Sequence, residues 1–217
     1  MKEKIKNLLP LFFFSAMAVD LYLIFIYAPE EATQGIVQKI FYFHVSCAFA
    51  MYLGFGLAGL FALLYLFSRE ILWDCLSHAG QSVGLLFCSM VLVSGPLWAK
   101  PIWGTWWTWD PRLTTTLMIW LIFTSILLLR RFFGNDSKGR MASAILTLFG
   151  MLDLPLIFLA VKLWRGIHPT VLGTKNNMPV EMKITLIVSN LTILFLFGLL
   201  YWLKSRILLA EEKIENE

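Results

Sequence analysis

Trp103, Trp106, Trp107 and Trp109 fall within seven positions, and Asp110 and Arg112 follow at once. The full stretch reads Trp103-Gly104-Thr105-Trp106-Trp107-Thr108-Trp109-Asp110-Pro111-Arg112-Leu113-Thr114. Indole at a membrane surface is ordinarily an anchor, its ring held at headgroup level. That account covers one or two rings at a helix end; four in a loop with Gly and Pro exceed it. The other account is a platform: broad apolar faces with N–H donors at their edges, suited to a large flat ligand. The chain also holds three histidines, His44, His78 and His168. Neutral imidazole is a good ligand for iron, although a lone histidine at a helix end commonly serves as a capping or interface residue. The cysteines, Cys47, Cys75 and Cys88, form neither C-x-x-C nor C-x-x-C-H. The spacing therefore predicts no disulfide framework, no metal knuckle and no c-type cytochrome. No G-x-x-x-x-G-K-[ST] occurs, so ATP-derived energy must come from a partner.

The elements that position these residues are membrane spans. Of 217 residues, 59% are hydrophobic and only 15% charged, against about 25% charged in a soluble domain. A bilayer core about 30 Å thick needs about 20 helical residues to cross. Apolar runs of that length predict an all-α, polytopic bundle of six transmembrane helices, a single membrane domain over 1–217. The expected spans are about 8–27, 41–67, 81–98, 113–129, 141–162 and 183–203. Ala16-Met17-Ala18 imitates a signal-peptidase site, but the apolar run continues past it, which predicts a retained first helix. A polar link at about 69–80, with Trp73, Asp74 and His78, is expected to lie along the membrane surface. Pro96 is expected to close the third span, leaving a tryptophan loop over about 99–112. Pro155 predicts a kink in the fifth. Asp20 and Asp153 lie inside spans, where a charge is costly and faces the bundle interior. Asp153 is expected to pair across the bundle. The charged tail from Lys204 is expected to be helical.

Six spans put both termini on one side. With the N-terminus in the cytoplasm, the Lys and Arg excess is internal, and the short loop from Arg130 to Arg140 dominates the count. The net charge of +4 is thus a topology signal, not nucleic-acid affinity. The tryptophan loop is then external. His44, near the outer end of span two, and His168, between spans five and six, share its side. His78 falls on the cytoplasmic side and is read as structural. Two imidazoles distant in sequence, flanking an aromatic platform, suit an iron porphyrin with one ligand above the ring and one below. Lys100, Arg112 and Arg165 are candidates for the propionates, because guanidinium and ammonium pair with carboxylate. Asp110 either pairs with Arg112 or orients the loop.

The run from Trp103 to Asp110, followed by Pro111-Arg112-Leu113-Thr114, resembles the "WWD" signature of the haem-handling proteins of cytochrome c maturation, and the CcmC branch in particular. The resemblance covers essentially the whole chain. It implies that His44 and His168 are axial ligands of a non-covalently carried haem b. It also implies that Trp103, Trp106, Trp107, Trp109, Asp110 and Arg112 belong to the haem-binding face. The family usually has His-Val-Pro at the first histidine; here it is His44-Val45-Ser46. The resemblance further implies a bacterial inner-membrane protein with its site on the periplasmic side. Such a protein presents haem to the chaperone CcmE, beside the ATP-binding-cassette subunits CcmA and CcmB and the small subunit CcmD. It implies delivery rather than enzymatic turnover. Three other readings fit the same signature. A cytochrome c synthase normally brings larger external segments than the loops of about twenty residues here. A transporter moving haem through its own spans needs a polar path, of which Asp20 and Asp153 are the main traces. A haem-free subunit would use its tryptophans only for docking.

Overall fold

The computed structural model describes residues 2–133, 136–164, 166, 168 and 178–215. Among these, helices account for nearly all regular structure. Helix α1, Lys2–Tyr22, runs into a π-helical turn, Leu23–Tyr27. A 3-10 turn, Ile36–Lys39, leads into α2, Ile40–Ser68. Then follow α3 (Ile71–Trp103), α4 (Pro111–Phe133), α5 (Ser137–Met151), α6 (Asp153–Leu163) and α7 (Val180–Glu215). Six stretches are long and apolar enough to cross a membrane: Leu9–Tyr27, Ile36–Ser68, Ile71–Trp103, Pro111–Phe133, Ser137–Ala160 and Val180–Glu215.

One expected link is helix instead, and one expected loop is shortened. The segment at 69–80 is not a surface link: α3 begins at Ile71 and carries Asp74, Ser77 and Gln81 into the bundle, all buried. Each of these polar side chains has a partner there. Arg130 on α4 donates to both carboxylate oxygens of Asp74, at 2.6 and 3.1 Å, and through Nε to Gln81 at 3.0 Å. Gln81 donates to Thr147 on α5 at 2.8 Å, and Ser77 donates to the Ala58 carbonyl at 2.9 Å. Arg140 pairs with Glu212 on α7 at 2.8 Å and approaches Asp74 at 3.7 Å. Hydropathy cannot separate a solvated polar run from one satisfied by other helices, since only the partners decide it. The turn between α2 and α3 shrinks to Arg69 and Glu70, with Arg69 in the left-handed region at φ 60°.

Pro96 does not close the third span either. The helix passes both Pro96 and Pro101 and ends at Trp103, so the tryptophan loop begins at Gly104 rather than near 99. Each proline removes one backbone donor, but the flank of α3 packed along α2 holds the helix together. Gly104, at φ 74°, ends it with its N–H on the Lys100 carbonyl at 3.0 Å, a left-handed stop that glycine adopts without strain. Span five does break, as Pro155 predicts. The interruption falls at Leu152, where the proline ring displaces the carbonyl one turn earlier.

Helices α2 and α3 form the spine. A Cβ on Gly80 would meet the Gly54 carbonyl oxygen and the Ala58 nitrogen at 2.8 Å, and one on Gly54 would meet Gly84 Cα at 2.6 Å. Such small-residue faces let membrane helices approach backbone to backbone. Around this pair, Phe55 stacks on Phe123 of α4 with centroids 3.9 Å apart, and Phe87 meets Phe197 of α7 at 5.9 Å. Helix α1 leans on α7: Phe12 packs edge-on against Phe195, and Ser189 donates to the buried Asp20 at 2.6 Å. Asp20 thus makes a helix-packing contact. Asp153 is buried at the start of α6, but among the described residues it makes no ion pair across the bundle.

Candidate functional site

His44 stands one turn into α2. Its Nδ1 lies 2.9 Å from Ser94 Oγ on α3, and Trp98 meets the imidazole edge-on, centroids 5.8 Å apart. His168 follows α6 and is half-buried. Its ring meets Trp103 edge-on at 6.2 Å, and its Nδ1 faces Arg112 Nη1 at 3.5 Å. Between these two histidines opens a cavity of about 460 Å³, walled by α2, α3, α4 and α6. Its volume falls in the range of about 300–1,000 Å³ typical of ligand pockets.

Of the residues singled out from the sequence, His44, His168, Trp103, Trp107 and Arg112 all line this cavity. Trp106, Trp109 and Asp110 do not. Trp106 is 55% exposed and Trp109 76% exposed, so these two indoles face outward from the protein. Lys100 serves Trp106 instead of the cavity, with its ammonium 6.0 Å from that ring's centroid and donating to the Gly104 carbonyl. Arg165 lies outside the described residues. Sequence reasoning missed Tyr52, Trp98 and Gln34, which also line the wall. Trp98 Nε1 donates to Gln34 Oε1 at 2.9 Å, tying α3 to the loop before α2. That loop is set by Glu31, whose carboxylate accepts the Thr33 hydroxyl and the Gln34 and Thr33 N–H groups, which together hold it below the usual carboxylate range.

Asp110 orients the loop. It caps α4: its Oδ1 accepts the Arg112 N–H at 3.0 Å, its carbonyl accepts the Thr114 N–H at 2.9 Å, and Pro111 fills the first helical position. Aspartate before proline is a favoured helix start, since the carboxylate satisfies a free donor and proline's missing N–H costs nothing there. The cap fixes the direction in which Arg112 leaves the helix, and Arg112 reaches the cavity. Asp110 is itself buried, its carboxylate so close to Gly166 that a Cβ there would meet Oδ2 at 2.1 Å. The loop and the segment bearing His168 are therefore packed together at this carboxylate.

The donor set decides what the cavity can hold. Among the described residues no group of three or more His, Cys, Asp or Glu converges as a metal site. Two imidazoles are a sparse protein donor set for a bare metal ion, whose structural sites usually take four side-chain ligands. They suffice for a metal that brings its own in-plane donors, as porphyrin iron does. The walls suit the rest of such a ligand: indole and aliphatic surface for the ring, and Arg112 for an acidic edge. Trp107 Nε1 is buried without a hydrogen-bond partner among the described residues, and the Tyr52 hydroxyl faces the Arg112 guanidinium. The three cysteines are free and buried, and none lines the cavity.

Proteins similar to this chain are named for haem. A protein from Bradyrhizobium diazoefficiens named heme exporter protein C is 35% identical over 141 residues, which is 65% of this chain and 54% of that protein. The heme exporter protein C of Haemophilus influenzae is 33% identical over 181 residues, covering 82% of this chain and 72% of the relative. That of Escherichia coli K12 is 30% identical over 192 residues, covering 86% and 77%. The family profile described as "CcmC: Heme exporter protein C" matches residues 1–217. A six-span helical chain that walls one cavity with two histidines and the tryptophan motif, and that matches this profile from end to end, belongs to the CcmC family.

Proposed function

We propose that the protein holds haem at the outer end of its helix bundle and presents it to a CcmE-type chaperone during c-type cytochrome biogenesis. The observation that carries this reading is the placement of His44, His168, Trp103 and Trp107 on the walls of one cavity. In this reading His44 and His168 ligate the iron from either side. Two filled axial positions leave no easy site for dioxygen, which suits haem that is only being carried. Trp103 and Trp107 border the macrocycle, where a well-placed aromatic contact contributes about 0.5–1.5 kcal/mol beyond buried area. Arg112 pairs with a propionate. Non-covalent contacts of this kind shield the haem yet let it leave.

The relatives are named heme exporters. Within such an assembly this chain's part is to hold and hand over haem, not to hydrolyse ATP. CcmA and CcmB supply the energy, and CcmD completes the complex. The outward-facing Trp106 and Trp109 sit where an acceptor can reach the motif. The basic residues of the sequence support both termini in the cytoplasm and the cavity on the periplasmic side of the inner membrane.

The test is an absorption spectrum of the detergent-purified full chain, co-expressed with its acceptor. Wild type should show a low-spin, bis-histidine haem. His44→Ala and His168→Ala should each lose that signature, and Trp103→Ala/Trp107→Ala should lower haem content. Unchanged spectra in both histidine variants would sink the ligand assignment. Haem-free preparations beside a normally loaded acceptor would show that the tryptophan motif serves only for docking.

A further inference from the structure

His44 rests against Ser94, Gly95 and Trp98 of α3, and their chemistry fixes more than its position. Ser94 is 5% exposed. Its hydroxyl turns back into its own helix, with Oγ 2.7 Å from the Met90 carbonyl and 3.4 Å from that of Val91. A carbonyl only accepts, and a serine hydroxyl has one hydrogen to give. Ser94 Oγ also lies 2.9 Å from His44 Nδ1. The Met90 carbonyl is its nearer acceptor, at 2.7 Å against 2.9 Å for that nitrogen, so we assign the hydrogen to α3. With its hydrogen spent, the oxygen offers this nitrogen only lone pairs, so Nδ1 must be the donor. A neutral imidazole protonated on Nδ1 has its free lone pair on Nε2.

Gly95 and Trp98 complete the seat. A Cβ on Gly95 would stand 3.4 Å from His44 Cε1 and 3.9 Å from Nδ1, at ordinary van der Waals contact, so this part of α3 borders the ring directly. Trp98 closes the other side at an interplanar angle of 66°.

We propose that Ser94 is a positioning residue that holds His44 as its Nδ1–H tautomer and so directs the Nε2 lone pair toward the haem iron. The proposal rests on the reading of His44 as an axial ligand. A histidine ligand commonly donates its second ring N–H to an outer partner, which fixes its orientation and makes it a stronger base. Here the partner is a hydroxyl fixed by its own helix backbone. The donor is thus set before haem arrives.

The experiment compares wild type, Ser94→Ala, Ser94→Thr and His44→Ala as full chains, with haem as the probe. Haem retention during titration with a competing apoprotein, the iron midpoint potential and the ferric electron paramagnetic resonance spectrum are read for each. Ser94→Ala should weaken haem retention about tenfold or more. It should also move the midpoint potential to a more positive value, because a less basic imidazole stabilises ferric iron less. Ser94→Thr keeps the hydroxyl and should restore both. If Ser94→Ala matches wild type while His44→Ala loses the low-spin signal, the proposal falls and the haem reading stands. If Ser94→Ala and Ser94→Thr shift alike, the effect is packing and the proposal falls. If His44→Ala keeps the wild-type spectrum, both readings fall. Should Ser94→Ala not accumulate, Ser94→Cys, a far weaker acceptor, is read with the same expectations.

Discussion

Asp110 joins the tryptophan motif to the helix that carries Arg112. From sequence its carboxylate had two roles open, pairing with Arg112 or orienting the loop. The geometry gives it a cap on the Arg112 backbone rather than a bond to the guanidinium. Aspartate, asparagine and serine cap about equally well, whereas alanine costs about 1 kcal/mol. Asp110→Asn should therefore keep more of the thermal midpoint and haem content than Asp110→Ala does. Asp110→Ala should lower both, as followed by tryptophan fluorescence on heating and by Soret absorbance. Equal losses in the two variants would mean that the negative charge itself is required. The motif's four indoles also divide at this scale, Trp103 and Trp107 to the cavity and Trp106 and Trp109 outward. The sequence showed an indole cluster; it could not show that division, which depends on where Gly104 stops α3.

At the scale of elements, the site depends on how closely α2 and α3 run, since one carries His44 and the other Ser94, Trp98 and Trp103. Gly80 sets that distance, and Gly54 and Gly84 extend the contact. Gly80→Ala places a methyl group against backbone that has no rotamer to yield. Overpacking of this kind costs about 1–3 kcal/mol. The variant should melt earlier in detergent and hold less haem, because spreading the helices also pulls His44 from its seat. Gly56 is the control: a Cβ there meets nothing within 4 Å, so Gly56→Ala should leave both measurements unchanged. A Gly80→Ala chain as stable as Gly56→Ala would remove the close-packed spine from the account.

Across the whole molecule, chemistry separates toward the two ends of the bundle. The histidine cavity lies at the end bearing the tryptophan loop. The cluster of Asp74, Gln81, Arg130, Arg140 and Glu212 lies at the other and ties α3, α4, α5 and α7 together. Arg130 and Arg140, counted from sequence as loop charges, are buried in that cluster. Arg131 and Lys138 remain exposed on the same turn. The orientation proposed from the basic residues has a direct test. The native cysteines are buried, so an introduced thiol reports without background. In intact cells a membrane-impermeant maleimide should label Glu30→Cys, and should label Lys138→Cys only after permeabilisation. The reverse pattern would invert the topology and move the cavity to the cytoplasmic side.

The sequence by itself determined the six apolar stretches, the kink at Pro155 and the tryptophan motif. These are local properties: crossing a bilayer needs an uninterrupted apolar run, proline acts on the turn before it, and a motif is a matter of neighbours in the chain. Tertiary structure alone decided that the segment at 69–80 is buried helix, because its polar groups are satisfied by Arg130 and Thr147 from other helices. It also decided which indoles face the cavity and which oxygen stands beside the His44 ring. That oxygen belongs to Ser94, fifty residues away. A serine in an apolar run looks the same whether it bonds only its own helix or also sets a ligand across the interface; the difference lies in what packs against it.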